Sequence, residues 1–338
     1  MKIIFQIKLF IIIAFIGFIN AYGNGKKDII EPGAIEWLSG KIKCNPSSIS
    51  YSLTEWGVDN KVYLIKDSLK KNSKPIAVLK IYSKPAETLD KIELSLKNVN
   101  KLLDQNFLVS KILASDRRKD EKLYVAMEFI DGNHPTKLEA TNLSMIARET
   151  AILHTKSAIS TYEKPLPITK VRNLLDSCST IKEFSRIKKI FNEIKFSKKL
   201  TFPNGFIHGD ISQSNILINN GKFYFLDFDH SANGYFISDI ARAQIFFAFD
   251  DTCRLIPQNL DIFLQGYQDI RKLTNDEKRY FFDLIKLFLI EMTLETYYYV
   301  KVLATVDENI FQGKRKTQAY ECLLQKLIFL DNYLSNKL

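Results

Sequence analysis

A chain of 338 residues with 46% hydrophobic, 12% aromatic and 25% charged content, and only 13 Gly and 9 Pro, is globular, which excludes disordered, fibrous and collagen-like classes. Its 48 Lys+Arg against 38 Asp+Glu give a formal net charge of +10, but the cations are spread along the chain and interleaved with acids, as in Lys182-Glu183 and Asp276-Glu277-Lys278-Arg279. That pattern indicates a solvated basic surface and no nucleic-acid partner, and at this length two lobes or domains are expected.

The first 23 residues open with Met1-Lys2, run through uncharged, mostly apolar text over 9–19 and end in Asn20-Ala21-Tyr22-Gly23. This is the order of a secretory signal, with an uncleaved anchor as the alternative, and the run is too short for a spanning helix. The N-terminus therefore suggests a secreted or membrane-anchored protein. Cys44, Cys178, Cys253 and Cys322 are widely spaced, with no CxxC pair and no His at ligand spacing, so they read as buried thiols rather than a zinc site or a disulfide framework.

From residue 49 onward, short apolar runs are broken by Gly57, Asp59-Asn60 and the polar stretch 67–75, which predicts antiparallel strands over 50–56, 61–65 and 75–82. Ile92, Leu96, Val99, Leu102 and Leu103 follow a helical period, and apolar runs at 107–113 and 122–130 complete a five-stranded sheet with one helix. After Asp131-Gly132 the texture changes to amphipathic helices over 139–157, 167–200, 258–270 and 275–303, interrupted by a β-rich island at 205–229. The predicted organisation is α+β: a leader at 1–23, a small β-rich lobe at 24–130 and a larger helical lobe at 131–338.

The island carries the chemistry. It reads His208-Gly209-Asp210-Ile211-Ser212-Gln213-Ser214-Asn215, then an apolar run, an Asn219-Asn220-Gly221 turn, and Phe225-Leu226-Asp227-Phe228-Asp229. Asn-Gly between two apolar alternations is a hairpin signal, and the hairpin brings Asp210, Asn215 and Asp227 to one end of a ribbon. An amide and a carboxylate oxygen converging there suit a hard cation such as Mg²⁺, leaving Asp210 as a base.

These residues resemble the signature of the aminoglycoside phosphotransferase and choline kinase-like superfamily, which shares the protein-kinase fold. Protein kinases use H-R-D with an Asn five residues on, then D-F-G. Here Gly209 replaces the Arg and Asp229 stands in place of the Gly, both of which favour a small-molecule kinase. The resemblance implies ATP and Mg²⁺ as cofactors, Asp210 as catalytic base, and Asn215 and Asp227 as metal ligands. It also implies that Lys80, in Ala77-Val78-Leu79-Lys80, meets the α and β phosphates, with Glu93 holding it in place. Gly57 and Asn60 resemble the family's first hairpin, near the phosphates. Glu128, Phe129 and Ile130 fall at the hinge, whose backbone would meet adenine. His154 and His208 read as packed, hydrogen-bonded scaffolds, and Asp239 as a helix-start carboxylate of structural use. Phe263-Leu264-Gln265-Gly266-Tyr267 and Leu273-Thr274-Asn275-Asp276-Glu277 are similar to the homoserine-kinase-like branch.

For the acceptor, Glu291 and Glu295 share a helical face, with Tyr298 three residues on. Acids beside aromatic rings suit an amine or quaternary ammonium, so an amino alcohol, a choline-like molecule or an aminosugar is favoured over homoserine. The expected function is transfer of the ATP γ-phosphoryl group to a small-molecule hydroxyl. Whereas the N-terminus suggests export, this ATP chemistry suggests a cytoplasm, its own or that of a host cell. The alternative is a catalytically silent kinase fold acting as a binding module.

Overall fold

The computed structural model describes residues 30–31, 33–54, 60–69, 74–135, 138–156, 163–197, 201–299 and 313–336. The leader at 1–23 and Gly57 lie outside them.

The N-terminal part is an antiparallel sheet of five strands, β1 (Ile49–Leu53), β2 (Lys61–Asp67), β3 (Ala77–Ser83), β4 (Ile112–Arg117) and β5 (Lys122–Glu128), ordered β1-β2-β3-β5-β4. Alternation along each strand sends successive side chains to opposite faces. Leu79, Ile81, Tyr124 and Ala126 bury one face under a helix absent from the sequence expectation, α1 (Ala34–Ile42), whose Ala34 and Leu38 are fully covered. Tyr82, Leu123 and Val125 bury the other face against Leu89, Ile92 and Leu96 of α2 (Ala86–Asp104). Lys80 shares that second face with Tyr82, and this parity aims it at the cleft.

The apolar run at 107–113 was expected as a strand of this sheet, yet β4 begins only at Ile112. Phe107 and Val109 instead enter the main core of the helical part, and Leu108 O accepts the Phe225 N–H at 3.0 Å. An apolar run has no intrinsic partner, and this one joins the two parts of the molecule.

The helical part contains α3 (Ala140–Leu153), α4 (Ile168–Ser177), α5 (Phe184–Glu193), α6 (Phe236–Phe247), α7 (Pro257–Gln268), α8 (Asn275–Tyr298) and α9 (Gly313–Ser335). The helix expected over 167–200 is broken in two at Ser177-Cys178-Ser179-Thr180, all weak helix formers. Helix α6, absent from the helical spans expected from the sequence, is buried nearly all round. Thr274 starts α8 with a capping box closed by Glu277. Between these helices lie β6 (Glu163–Lys164), β7 (Asn204–Ile207) and β10 (Ala232–Tyr235), paired in the order β6-β10-β7, and the hairpin β8 (Ile216–Asn219) with β9 (Lys222–Phe225). The hairpin turn has positive φ at both Asn220 (48°) and Gly221 (72°), as a type I′ turn requires.

One expectation about the cysteines is corrected. Cys253, in the loop after α6, is disulfide-bonded to Cys322 of α9, with Cα atoms 5.5 Å apart and a sequence separation of 69. Proximity created by packing leaves no mark in the spacing. Cys178 is a buried thiol as expected, and Cys44 is half-exposed. No helix among the described residues is long and apolar enough to cross a membrane.

Candidate active site

Strand β7 delivers the chain into His208-Gly209-Asp210, and the loop returns through Asn215 into β8. Its shape is held by a network of buried polar groups. Asp239, in the first turn of α6, accepts the His208 and Gly209 N–H groups, both at 2.7 Å. His154 bonds Asp239 at 3.2 Å and the Tyr267 hydroxyl at 2.7 Å. His208 Nε2 donates to Leu226 O at 2.8 Å, so its Nδ1 is free to accept the Asp210 N–H at 3.2 Å. Burial lowers the pKa of both histidines, in keeping with neutral rings that act as struts.

Asn215 Nδ2 spends both hydrogens on Asp210, one on its backbone oxygen and one on Oδ2, each at 2.8 Å. The amide orientation is thereby fixed, with Oδ1 turned away and available. Asp210 is itself buried, and its carboxyl is pushed up to about 6 by burial, with Asp227 adding to the rise and Arg242, Lys164 and Asn215 opposing it.

Asp227 leaves β9 in the left-handed region, at φ 59°. Its Oδ1 lies 3.0 Å from Lys80 Nζ, and Asp229 Oδ2 lies 2.9 Å from the same atom. Tyr82 donates its hydroxyl to Asp229 Oδ1 at 2.8 Å, and Asn60 Nδ2 reaches Asp229 Oδ2 at 3.4 Å. Burial disfavours the Lys80 charge, yet Asp227 and Asp229 hold its pKa well above the usual lysine value. One ammonium between two carboxylates leaves excess negative charge, and burial together with Asp227 raises the Asp229 carboxyl. Asn215 Oδ1, Asp227 and Asp229 are a set of hard oxygen donors beside that excess charge, which fits Mg²⁺.

Glu93 does not hold Lys80. It faces Arg117 of β4 at 3.7 Å and is one-third exposed. Ile92, Leu96 and Val99 turn their stripe of α2 inward, and the polar residue of that stripe at the site is Ser95, whose hydroxyl bonds Phe228 O and, at 2.8 Å, Ser231 Oγ. Asp229 and Tyr82 therefore do what was expected of Glu93. Two signals in the sequence point to them: Tyr82 is two residues from Lys80 on one strand face, and Asp229 replaces a glycine beside Asp227.

Lys80, Asp210, Asn215, Asp227 and Asp229 line one cavity of about 350 Å³, whose apolar walls include Val62, Val78, Met127, Leu217 and Phe225. Glu128, Phe129 and Ile130 also line it. The Glu128 N–H donates to Lys111 O at 2.9 Å and its carbonyl accepts from Ser110 Oγ at 2.7 Å, while Ile130 O accepts the Gly132 N–H at 3.0 Å. Asn60 Oδ1, buried in the cavity wall, has no hydrogen-bond partner among the described residues.

Glu291 and Glu295 differ from expectation. Both are buried and neither is free: Glu291 pairs with Lys170 at 2.8 Å and with Arg242 at 3.2 Å, and Glu295 pairs with the same Lys170. Burial opposes the Glu291 charge, but Lys170 and Arg242 outweigh it and hold its carboxyl below the ordinary range. Buried carboxylates require such partners, and these come from α4 and α6, far away in sequence. Tyr298 packs against the main core. An amine pocket built from this trio is therefore not formed.

The profile of the Phosphotransferase enzyme family matches residues 51–273. Over 85 residues the chain is 34% identical to the homoserine kinase of Neisseria meningitidis serogroup B, a stretch covering 23% of this chain and 26% of that enzyme. The match thus spans about a quarter of the curated relative's length. Among solved structures, a microcompartment-associated aminopropanol kinase superposes with a TM-score of 0.60 at 16% identity, covering 90% of this chain and 97% of the other. The choline kinase of Cryptosporidium parvum Iowa II gives a TM-score of 0.59 at 17% identity, covering 88% and 96%. An amicoumacin kinase in complex with AMP-PNP, Ca²⁺ and Ami gives 0.57 at 15%, covering 85% and 89%. Likeness at these identities is likeness of fold, and the fold is the kinase-like α+β architecture expected from sequence.

Proposed function

Because the chain belongs to the Phosphotransferase enzyme family, we propose that it transfers the γ-phosphoryl group of ATP, in the presence of Mg²⁺, to the hydroxyl of a small molecule. The observation that carries this is the convergence of Lys80, Asp227 and Asp229 with Asp210 and Asn215 at one end of a single cavity. In this reading Asn215 Oδ1 and the Asp227 carboxylate hold Mg²⁺, which neutralises phosphate charge when bound. Lys80, braced by Asp229, fixes the α and β phosphates. The Phe129 backbone and the Ile130 N–H would serve adenine, since the Glu128 groups and the Ile130 carbonyl are already engaged. Asp210 orients the acceptor hydroxyl and takes its proton, and a carboxyl raised to about 6 is better matched to that task at neutral pH than an ordinary one.

An amino alcohol or another amine-bearing acceptor remains the favoured class, in line with the names aminopropanol kinase and choline kinase carried by chains of the same fold. Export is part of the proposal: the 1–23 leader and the Cys253–Cys322 bond both suit an oxidising compartment. The test is a transfer screen with Mg-ATP against choline, ethanolamine, 1-amino-2-propanol, homoserine, thiamine and aminoglycosides. Transfer to at least one amine-bearing alcohol is expected. No transfer to any, together with no Mg²⁺-dependent thermal stabilisation by millimolar ATP, would favour the silent binding module.

A further inference from the structure

The segment from His208 to Asn215 contains no lysine or arginine, and burial lowers the His208 pKa. Ser212, two residues after Asp210, is buried and bonds Ser214 Oγ at 2.9 Å. Positive charge near Asp210 therefore arrives from elsewhere, from Arg242 and, at Gly209, from Lys164. Gly209 has φ 81°, and a Cβ there would lie 2.3 Å from His230 O and 2.7 Å from Lys164 Nζ. The space that a side chain at 209 would need is occupied by the His230 carbonyl and by an ammonium reaching in from β6.

Strand β6 runs parallel to β10, with Lys164 opposite Gly234. From there Lys164 Nζ donates to Gly209 O at 3.3 Å and to His230 O at 3.4 Å. One carbonyl belongs to the loop that carries Asp210, and the other follows the segment that carries Asp227 and Asp229. Without a cation between them, these two carbonyl dipoles would face a shared buried space. Burial, with the Arg242 charge, brings the Lys164 ammonium down to about 8, and Asp239, Glu291 and Asp210 oppose that fall at longer range.

We propose that Lys164 is a positioning residue for phosphoryl transfer, clamping the Asp210 loop to the Asp227–Asp229 segment and supplying the fixed positive charge that the loop's own sequence lacks. The proposal rests on the kinase reading above. It does not place Lys164 on the nucleotide: among the described residues, Lys164 does not line the nucleotide cavity.

The test uses the full chain and the amine-bearing alcohol that the wild type phosphorylates fastest in the screen. Lys164→Met keeps the length of the side chain and removes its charge, and kcat is expected to fall about 10²-fold or more while KM for Mg-ATP changes little. Lys164→Ala leaves room for an added cation, so propylammonium should restore about tenfold of the lost rate, and propanol should restore none. A Lys164→Met kcat within threefold of wild type overturns the proposal. So does a loss of kcat in both variants that propylammonium fails to rescue while near-ultraviolet circular dichroism shows the fold disturbed, because the role would then be structural. A wild type that transfers phosphate to nothing overturns the kinase reading itself, a different result from an active enzyme indifferent to Lys164.

Discussion

Two buried charge clusters flank Asp210, and they are built on opposite principles. Around Glu291 and Glu295, Lys170 and Arg242 supply one cation for each acid, and the set is electrically complete. Around Lys80, one ammonium serves both Asp227 and Asp229, and the Asn60 amide oxygen has no hydrogen-bond partner among the described residues. A complete cluster needs nothing further and works as scaffold. In the proposed reading, the incomplete cluster is where Mg²⁺ and the nucleotide phosphates would sit.

Breaking the incomplete cluster should cost activity, and breaking the complete one should cost stability. The largest effect is expected for Asp227→Ala, a loss of turnover on the order of 10³-fold or more, because catalysis here is mainly positioning and charge neutralisation. Initial-rate assays with Mg-ATP check this. Glu291→Ala strands Arg242, which is nearly buried, and should lower unfolding free energy by about 3 kcal/mol in urea melts, with Lys170 retaining Glu295.

Asp210→Asn should move stability the other way while silencing turnover. The folded carboxyl sits at about 6, above its ordinary 3.8, so the folded state holds this proton more tightly than the unfolded chain. Ionisation therefore erodes stability as pH rises from about 4 through 6, and the full cost is present at neutral pH. Removing the charge should raise stability by on the order of 2 kcal/mol at pH 7 in metal-free buffer and leave it nearly unchanged at pH 4. Thermal melts at the two pH values decide it. The smallest effect is expected for Glu93→Ala, within about 0.5 kcal/mol of stability because its pair with Arg117 is partly exposed, and with turnover within about twofold. A large loss of turnover in that variant would restore Glu93 as the partner of Lys80.

How much of this was legible in the sequence depended on the distance between partners. The Asn220-Gly221 turn and the 3.6-residue stripe of α2 are local patterns, and they foretold the hairpin and the helix, while Lys80 was legible through its resemblance to the family's third-strand lysine. The same stripe carried the warning about Glu93, since Ile92 and Leu96 turn inward and leave it beside Arg117. Lys164 and Gly209 are 45 residues apart, Arg242 and Glu291 are 49 apart, and Cys253 and Cys322 are 69 apart. Such contacts are made by packing and obey no period. The acid pair on α8 was visible, but its cations were not, so a neutral scaffold looked like an amine site.

The most direct measurement is the transfer of labelled γ-phosphate from ATP to an amine-bearing alcohol, with and without Mg²⁺, by wild-type protein and by Asp227→Ala side by side. The expected result is Mg²⁺-dependent phosphorylation by the wild type and none above background by the variant. Equal transfer by both proteins, or transfer by the wild type that is indifferent to divalent cations, would contradict the assignment of the incomplete cluster as the catalytic centre.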